Sequence, residues 1–164
     1  MTATLNAPPT VLRLHAQTAA DLMAPNPISL RAEATITEAM SLFAEKGIAA
    51  APVIDAGGRP IGVISRSDLF IHQVEESRRQ RPDYYYNPDA EAPARPAGPP
   101  AGSHATTVAD LMTPAVFAVA PDAHVSRVVG DMVGLRVHRL FVVDSDGVLV
   151  GVITAMDVLK RLQA

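Results

Sequence analysis

Gly62-Val63-Ile64-Ser65-Arg66-Ser67-Asp68 returns 89 residues later as Gly151-Val152-Ile153-Thr154-Ala155-Met156-Asp157. In each copy a short strand-forming run passes a hydroxyl residue and opens a segment of helical pattern. Working outward at the same shift, residues 18–73 lie over 107–162 without a gap, with 14 identities in 56 positions. Thr18, Ala20, Asp21, Leu22, Met23 and Pro25 fall on Thr107, Ala109, Asp110, Leu111, Met112 and Pro114. Two copies are too few for a solenoid, so they are expected to close on each other as a pseudo-symmetric pair. Such a junction offers clefts for ligands.

Both copies read alike. Asp21-Leu22-Met23 and Asp110-Leu111-Met112 form a helical turn stopped by Pro25 and Pro114. Short strands follow at Ile28–Leu30 and Val116–Val119. A helix from about Thr35 to Lys46 has Thr35 and Glu38 at capping-box spacing and Ile36, Met40 and Phe43 on one face. Its counterpart starts near Asp122, with Val125, Val128, Val129 and Met132 on the equivalent face. Strands Ala51–Asp55 and Pro60–Ser65, then Arg139–Asp144 and Leu149–Thr154, flank Asp- and Gly-bearing turns. Helices from Ser67 to about Glu76 and from Ala155 to about Leu162 close the copies. The order is β-α-β-β-α, a mixed α/β (α+β) class. A unit of this size is small to stand alone, so the copies are expected to share a core.

Around the repeats, residues 1–17 read as a loosely docked tail, 18–75 as repeat 1, 76–106 as a Pro-rich linker and 107–164 as repeat 2. The linker carries Arg78, Arg79, Arg81, the run Tyr84-Tyr85-Tyr86 and six of the 14 prolines. The 164 residues are 48% apolar and 19% charged, with net charge −3, which gives no basic footprint for nucleic acid. Absence of cysteine excludes disulfides and thiol chemistry. No apolar run is long enough for a bilayer, and the N-terminus lacks a signal-peptide pattern. The expectation is a cytoplasmic protein without membrane association. His15, His72, His104 and His124 show no metal-ligand spacing. No P-loop, nucleophile elbow or H-E-x-x-H is present, so catalysis and a catalytic cofactor are not expected.

Two readings fit the strand–helix junction. Ser65 or Thr154 caps the helix while Asp68 or Asp157 reaches back to the cap amide. Alternatively the hydroxyl and free amides attract phosphate, while the carboxylate accepts hydrogen bonds from a ribose diol. The glycine three residues earlier admits a close neighbour, whether backbone or ligand.

Together, the Leu-Met-x-Pro segments, Pro52-Val53-Ile54-Asp55, Phe141-Val142-Val143-Asp144 and the two Gly-Val-Ile-Ser/Thr-x-x-Asp junctions resemble cystathionine β-synthase (CBS) domains. Two in tandem form a Bateman module. The resemblance implies two β-α-β-β-α repeats related by a pseudo-two-fold axis, with clefts between them. It places Ser65 and Asp68 in one cleft and Thr154 and Asp157 in the other, as ligands of phosphate and ribose. Val137-His138-Arg139-Leu140 resembles the His-Arg segment that meets nucleotide phosphates in the γ subunit of AMP-activated protein kinase. An arginine fork suits phosphate oxygens and an imidazole adds a donor. Arg136, His138 and Arg139 form this basic set. Gly47, Ala49 and Ala50 replace it in repeat 1, so one good and one weak or vacant site are expected.

Function is then expected to be a stand-alone sensor. It would bind AMP, ADP, ATP or S-adenosylmethionine and signal to an effector protein by a change in repeat packing. The resemblance also implies a homodimer formed through the helices, with Ile36, Met40 and Phe43 and Val125, Val129 and Met132 as the apolar faces. A dimeric scaffold without a ligand is the alternative.

Overall fold

The computed structural model describes residues 11–79 and 106–163. Residues 1–10, Arg81, the tyrosine run, the linker prolines and His104 lie outside the described residues. In chain order the elements are β1 (Arg13–Leu14), α1 (Ala19–Leu22), β2 (Ala24–Pro25), β3 (Leu30–Arg31), α2 (Ile36–Lys46), β4 (Ala50–Ile54), β5 (Pro60–Ser65) and α3 (Arg66–Arg79). The second half supplies α4 (Val108–Leu111), β6 (Ala118–Val119), α5 (Val125–Gly134), β7 (Arg139–Val143), β8 (Leu149–Thr154), α6 (Ala155–Lys160) and β9 (Leu162–Gln163).

The chain divides into two compact units, and each draws on both repeats. One contains the described residues up to Pro27, Gly57–Pro60 and everything from Val116 on. Its main sheet has the order β2-β8-β7-β6. β7 runs antiparallel to β8 and parallel to β6. β2, from the first repeat, pairs antiparallel with β8 through Ala24↔Val152 and Pro25↔Gly151. The apolar cluster joins Ala19 and Leu22 of α1 to Val119, Val128, Met132, Leu140, Val142 and Ile153.

The other unit holds Ile28–Ala56 and the described part of Ile61–Ala115. Its sheet is β3-β4-β5, with β3 parallel to β4. Val108 of α4, from the second repeat, joins Leu30, Phe43, Val53, Ile64 and Leu69 in its core. An antiparallel bridge from Val63 to Thr113 repeats the Val152↔Ala24 pairing of the first unit. The expected single core is therefore two cores. Each repeat lacks an apolar wall of its own, and the lead segment of the other repeat provides it.

The duplicated glycine receives that segment. A Cβ on Gly62 would lie 2.8 Å from both Met112 Sδ and Thr113 O. A Cβ on Gly151 would overlap the Met23 side chain. The close neighbour is thus the methionine of the Leu-Met-x-Pro segment.

Helix ends follow local chemistry. Thr35 Oγ1 accepts from Glu38 N at 3.2 Å and Glu38 Oε2 accepts from Thr35 N at 2.7 Å, so α2 starts where the spacing puts it. Helix α5 starts at Val125, later than expected. His124 caps it, accepting at Nδ1 from Ser126 N, and Val125 N is taken by Gln17 O at 2.9 Å. α6 ends at Lys160 because Leu162–Gln163 pairs antiparallel with Arg13–Leu14. The end of the expected tail is accordingly docked. α3 runs on to Arg79, past the expected end near Glu76. Phe43, Val125 and Met132 are buried in the cores, while Met40 is exposed, so the expected apolar faces point mostly inward.

Gly62→Ala is expected to lower stability by about 1–3 kcal/mol through overpacking. Gly130→Ala, in a helix with nothing within 4 Å of its Cβ position, is expected to be neutral or stabilising by less than about 1 kcal/mol. Urea unfolding of the two variants checks the contrast, and equal effects would contradict the packing account.

Candidate functional site

At the β8–α6 junction, Asp157 Oδ2 accepts from Thr154 N at 2.9 Å and from Thr154 Oγ1 at 2.6 Å. Asp157 N in turn donates to Thr154 Oγ1 at 3.3 Å. At the β5–α3 junction, Asp68 Oδ2 accepts from Ser65 N and Oγ, each at 2.7 Å. The capping arrangement is therefore made at both sites. It leaves Oδ1 of each carboxylate outside the cap, and an ionised carboxylate has about four acceptor positions. Capping and ligand binding do not exclude each other.

Residue type alone does not mark these junctions. Asp21 accepts from Thr18 N and Asp110 from Thr107 N in the same way at α1 and α4. What sets Thr154 apart is its surroundings. Arg139 of β7 is its direct cross-strand partner, so the two residues share one sheet face. Both Thr154 and Asp157 are half-buried.

The basic set is distributed over two places. Arg139 faces Thr154, whereas Arg136 and His138 line a groove of about 500 Å³ between α5 and α6, walled by Val129, Met132, Val133, Val158 and Leu159. His138 touches the junction through its backbone, its carbonyl accepting from Ala155 N at 3.1 Å. Asp157 opens instead on a cavity of about 340 Å³ with Leu22, Met23, Ala24, Lys160, Arg161 and Gln163. Lys160 Nζ stands 3.6 Å from Asp157 Oδ1. Lys160 and Arg161 belong to no sequence motif; their signal is position, three and four residues past Asp157, at the last residue of α6 and its C-cap. Ser65 and Asp68 lie in the other unit, where Ala49 and Ala50 replace His138 and Arg139. Arg66 there donates to Phe43 O at 3.0 Å.

Arg136 is conformationally unusual. It has φ 55°, the left-handed region, at the position where the first repeat has Gly47 with φ 64°. Its N–H bonds Val133 O, and Val137 N–H bonds Met132 O at 3.0 Å, the two bonds of a Schellman close to α5. A non-glycine residue there is strained, and such strain clusters at functional positions.

Burial is the largest single influence on Asp157 and raises its pKa. The hydrogen bonds from Thr154 and the charge of Lys160 together outweigh it, leaving the group below its ordinary value. Asp21, Glu38 and Asp110 are also lowered, first by backbone N–H donors of Thr18, Thr35 and Thr107 and then by their hydroxyls.

The model of the CBS domain family matches residues 19–75 and 108–164. The chain belongs to the CBS domain family. It is a tandem CBS pair with a mixed α+β fold. It is 31% identical over 129 residues to CBSX1, a chloroplastic CBS domain-containing protein of Arabidopsis thaliana, covering 77% of this chain and 55% of that one. To the protein MK0525 of Methanopyrus kandleri it is 30% identical over 126 residues, covering 77% and 53%. The chain thus spans about half the length of these two relatives. Among solved structures it is similar to CBSX2 in complex with AMP, with a TM-score of 0.64, 25% identity and coverage of 88% and 95%. The cytosolic domain of the Mg2+ channel MgtE in complex with ATP gives a TM-score of 0.63, 27% identity and coverage of 90% and 50%. Among the described residues no helix is long and apolar enough to cross a membrane, and no group of three or more His, Cys, Asp or Glu could hold a metal.

The lowered carboxylates have folded pKa values below their unfolded ones. Their contribution is therefore full above the unfolded values, near about pH 4, and is lost as pH falls through the folded ones. The urea midpoint is expected to stay level from about pH 7 to pH 5 and drop toward pH 3; a midpoint that holds or rises there contradicts the assignment. Arg136→Gly is expected to raise unfolding stability by about 1 kcal/mol by relieving the left-handed strain. A loss of stability would mean that the arginine side chain holds the turn.

Proposed function

We propose that this CBS pair is a regulatory, non-catalytic module that binds an adenosine-containing ligand at the Thr154–Asp157 junction. AMP, ADP and ATP are the leading ligands, and S-adenosylmethionine is the further candidate. The observation that carries the reading is a hydroxyl bonded to a half-buried carboxylate, with Arg139 directly across the strand pair from the hydroxyl residue. The likeness to CBSX2 in complex with AMP and to the MgtE domain in complex with ATP supports an adenine nucleotide. Asp157 would hold the ribose hydroxyls, with Thr154 and Arg139 beside it. Arg136 and His138, which the family resemblance offers for phosphate, line the neighbouring groove and stand outside this reading of the site. Ser65 and Asp68 form the weaker or vacant site, since alanines stand where the second repeat has its basic pair.

Ligand binding signals only through a difference in affinity between two arrangements of the module. The output would pass to an effector protein, with the module acting as a cytoplasmic homodimer. Phe70, 65% exposed, and Val133, 72% exposed, each line an open groove between helices and support pairing through those faces. They also favour the second reading, a dimeric scaffold that needs no ligand.

Calorimetry with AMP, ADP, ATP and S-adenosylmethionine separates the two. A ligand at 100 times Kd is expected to stabilise the wild type by about 2.7 kcal/mol. Asp157→Asn is expected to weaken binding at least about tenfold, the loss of hydrogen bonds to a charged group, while circular dichroism shows the chain still folded. Asp68→Asn is expected to leave the tighter site intact. Silence across all four ligands, with a dimer persisting in sedimentation, would overturn the sensor reading in favour of the scaffold.

A further inference from the structure

The cavity beside Asp157 contains two cations that belong to neither copy of the duplicated motif. Lys160 and Arg161 replace Ile71 and His72 of the first repeat, so this feature is confined to one unit. Lys160 Nζ lies 3.6 Å from Asp157 Oδ1, the oxygen the cap does not use. The Arg161 side chain is anchored by Nη2 donating to Asp21 O at 2.9 Å, beside the Asp21 carboxylate, which its charge lowers. A guanidinium has five N–H donors, so four remain for another acceptor. The apolar side of the cavity is Leu22, Met23 and Ala24. The lining carries the carboxylate of Asp157 and two cations, and the charge of Arg161 also acts on the Asp21 carboxylate, which lies outside this lining. Arg136 and His138 line the groove between α5 and α6, and the lining of the Asp157 cavity does not include them.

We propose that Lys160 and Arg161 form the phosphate subsite of the Asp157 site and give it preference for a nucleoside phosphate over the free nucleoside. The proposal rests on the reading of Asp157 as the ribose-holding residue. When a ribose diol donates to Asp157 Oδ1, the flexible Lys160 ammonium is released from that oxygen and swings to the phosphate on the same ligand. Arg161, fixed through Asp21, supplies a planar fork at the same end. Arg136 and His138, on the far groove, do not set this preference.

The test is a comparison of AMP and adenosine affinities at fixed ionic strength for the wild type, Lys160→Gln, Arg161→Lys, Arg136→Ala, His138→Ala and Asp157→Asn. Lys160→Gln changes an exposed side chain and Arg161→Lys keeps the charge, so both are expected to stay folded. The wild type is expected to prefer AMP at least about tenfold, the scale of charge-assisted bonds. Lys160→Gln and Arg161→Lys are expected to reduce that ratio severalfold by weakening AMP while adenosine binding is retained, and Arg136→Ala and His138→Ala to preserve it. An unchanged ratio in both Lys160 and Arg161 variants overturns the proposal alone. A ratio that collapses in the Arg136 or His138 variant also overturns it, by moving phosphate recognition to the groove. Adenosine affinity unchanged in Asp157→Asn overturns the ribose reading and the subsite built on it. Absence of binding of either ligand to the wild type overturns both together.

Discussion

Two methionine side chains lie over two glycines, Met112 on Gly62 and Met23 on Gly151, and the placement of the other elements follows from those contacts. Each brings the lead segment of one repeat against the sheet of the other. The segment then pairs with the sheet, through Ala24↔Val152 in one unit and Val63↔Thr113 in the other. It also delivers the missing apolar wall, Ala19 and Leu22 in one core and Val108 in the other. Removing either partner of such a contact would expose a core that its own repeat cannot close. A side chain on the glycine and the loss of the methionine are two ways to the same failure.

The same docking shapes the site. Leu22, Met23 and Ala24 line the cavity into which Asp157 opens, so the duplicated lead segment is both a structural strap and a wall of the pocket. Hydroxyl–carboxylate caps recur at Thr18–Asp21, Thr35–Glu38, Ser65–Asp68, Thr107–Asp110 and Thr154–Asp157. Their hydrogen bonds are nearly interchangeable. What differs is what surrounds a cap: partial burial of the carboxylate separates Ser65–Asp68 and Thr154–Asp157 from Thr18–Asp21 and Thr107–Asp110, and a cross-strand arginine and a cavity shared with Lys160 and Arg161 then separate Thr154–Asp157 from Ser65–Asp68.

The sequence made the duplication, the β-α-β-β-α order and the junctions legible because they are local patterns. Strands Pro60–Ser65 and Leu149–Thr154 occur where the alternating and β-branched residues put them. Exchange of the lead segments was hidden, since Met23 and Gly151 are 128 positions apart and no local pattern links them. For the same reason Arg13–Leu14 read as tail, although it pairs with Leu162–Gln163. In the basic set, adjacency in sequence concealed separation in space. His138 and Arg139 are neighbours, but His138 lines the helical groove while Arg139 pairs across the sheet with Thr154. Lys160 and Arg161 went unmarked because their meaning depends on the cavity walls supplied by the lead segment.

On the proposed reading the adenosine-containing ligand sits in the cavity lined by Met23 and Asp157. Methionine-methyl NMR during an AMP titration tests it most directly, because Met23 lines the Asp157 cavity and Met132 lines the α5–α6 groove. A ligand in that cavity is expected to shift the Met23 methyl resonance saturably and to leave Met132 little changed. A saturable shift of Met132 with Met23 unmoved would contradict it.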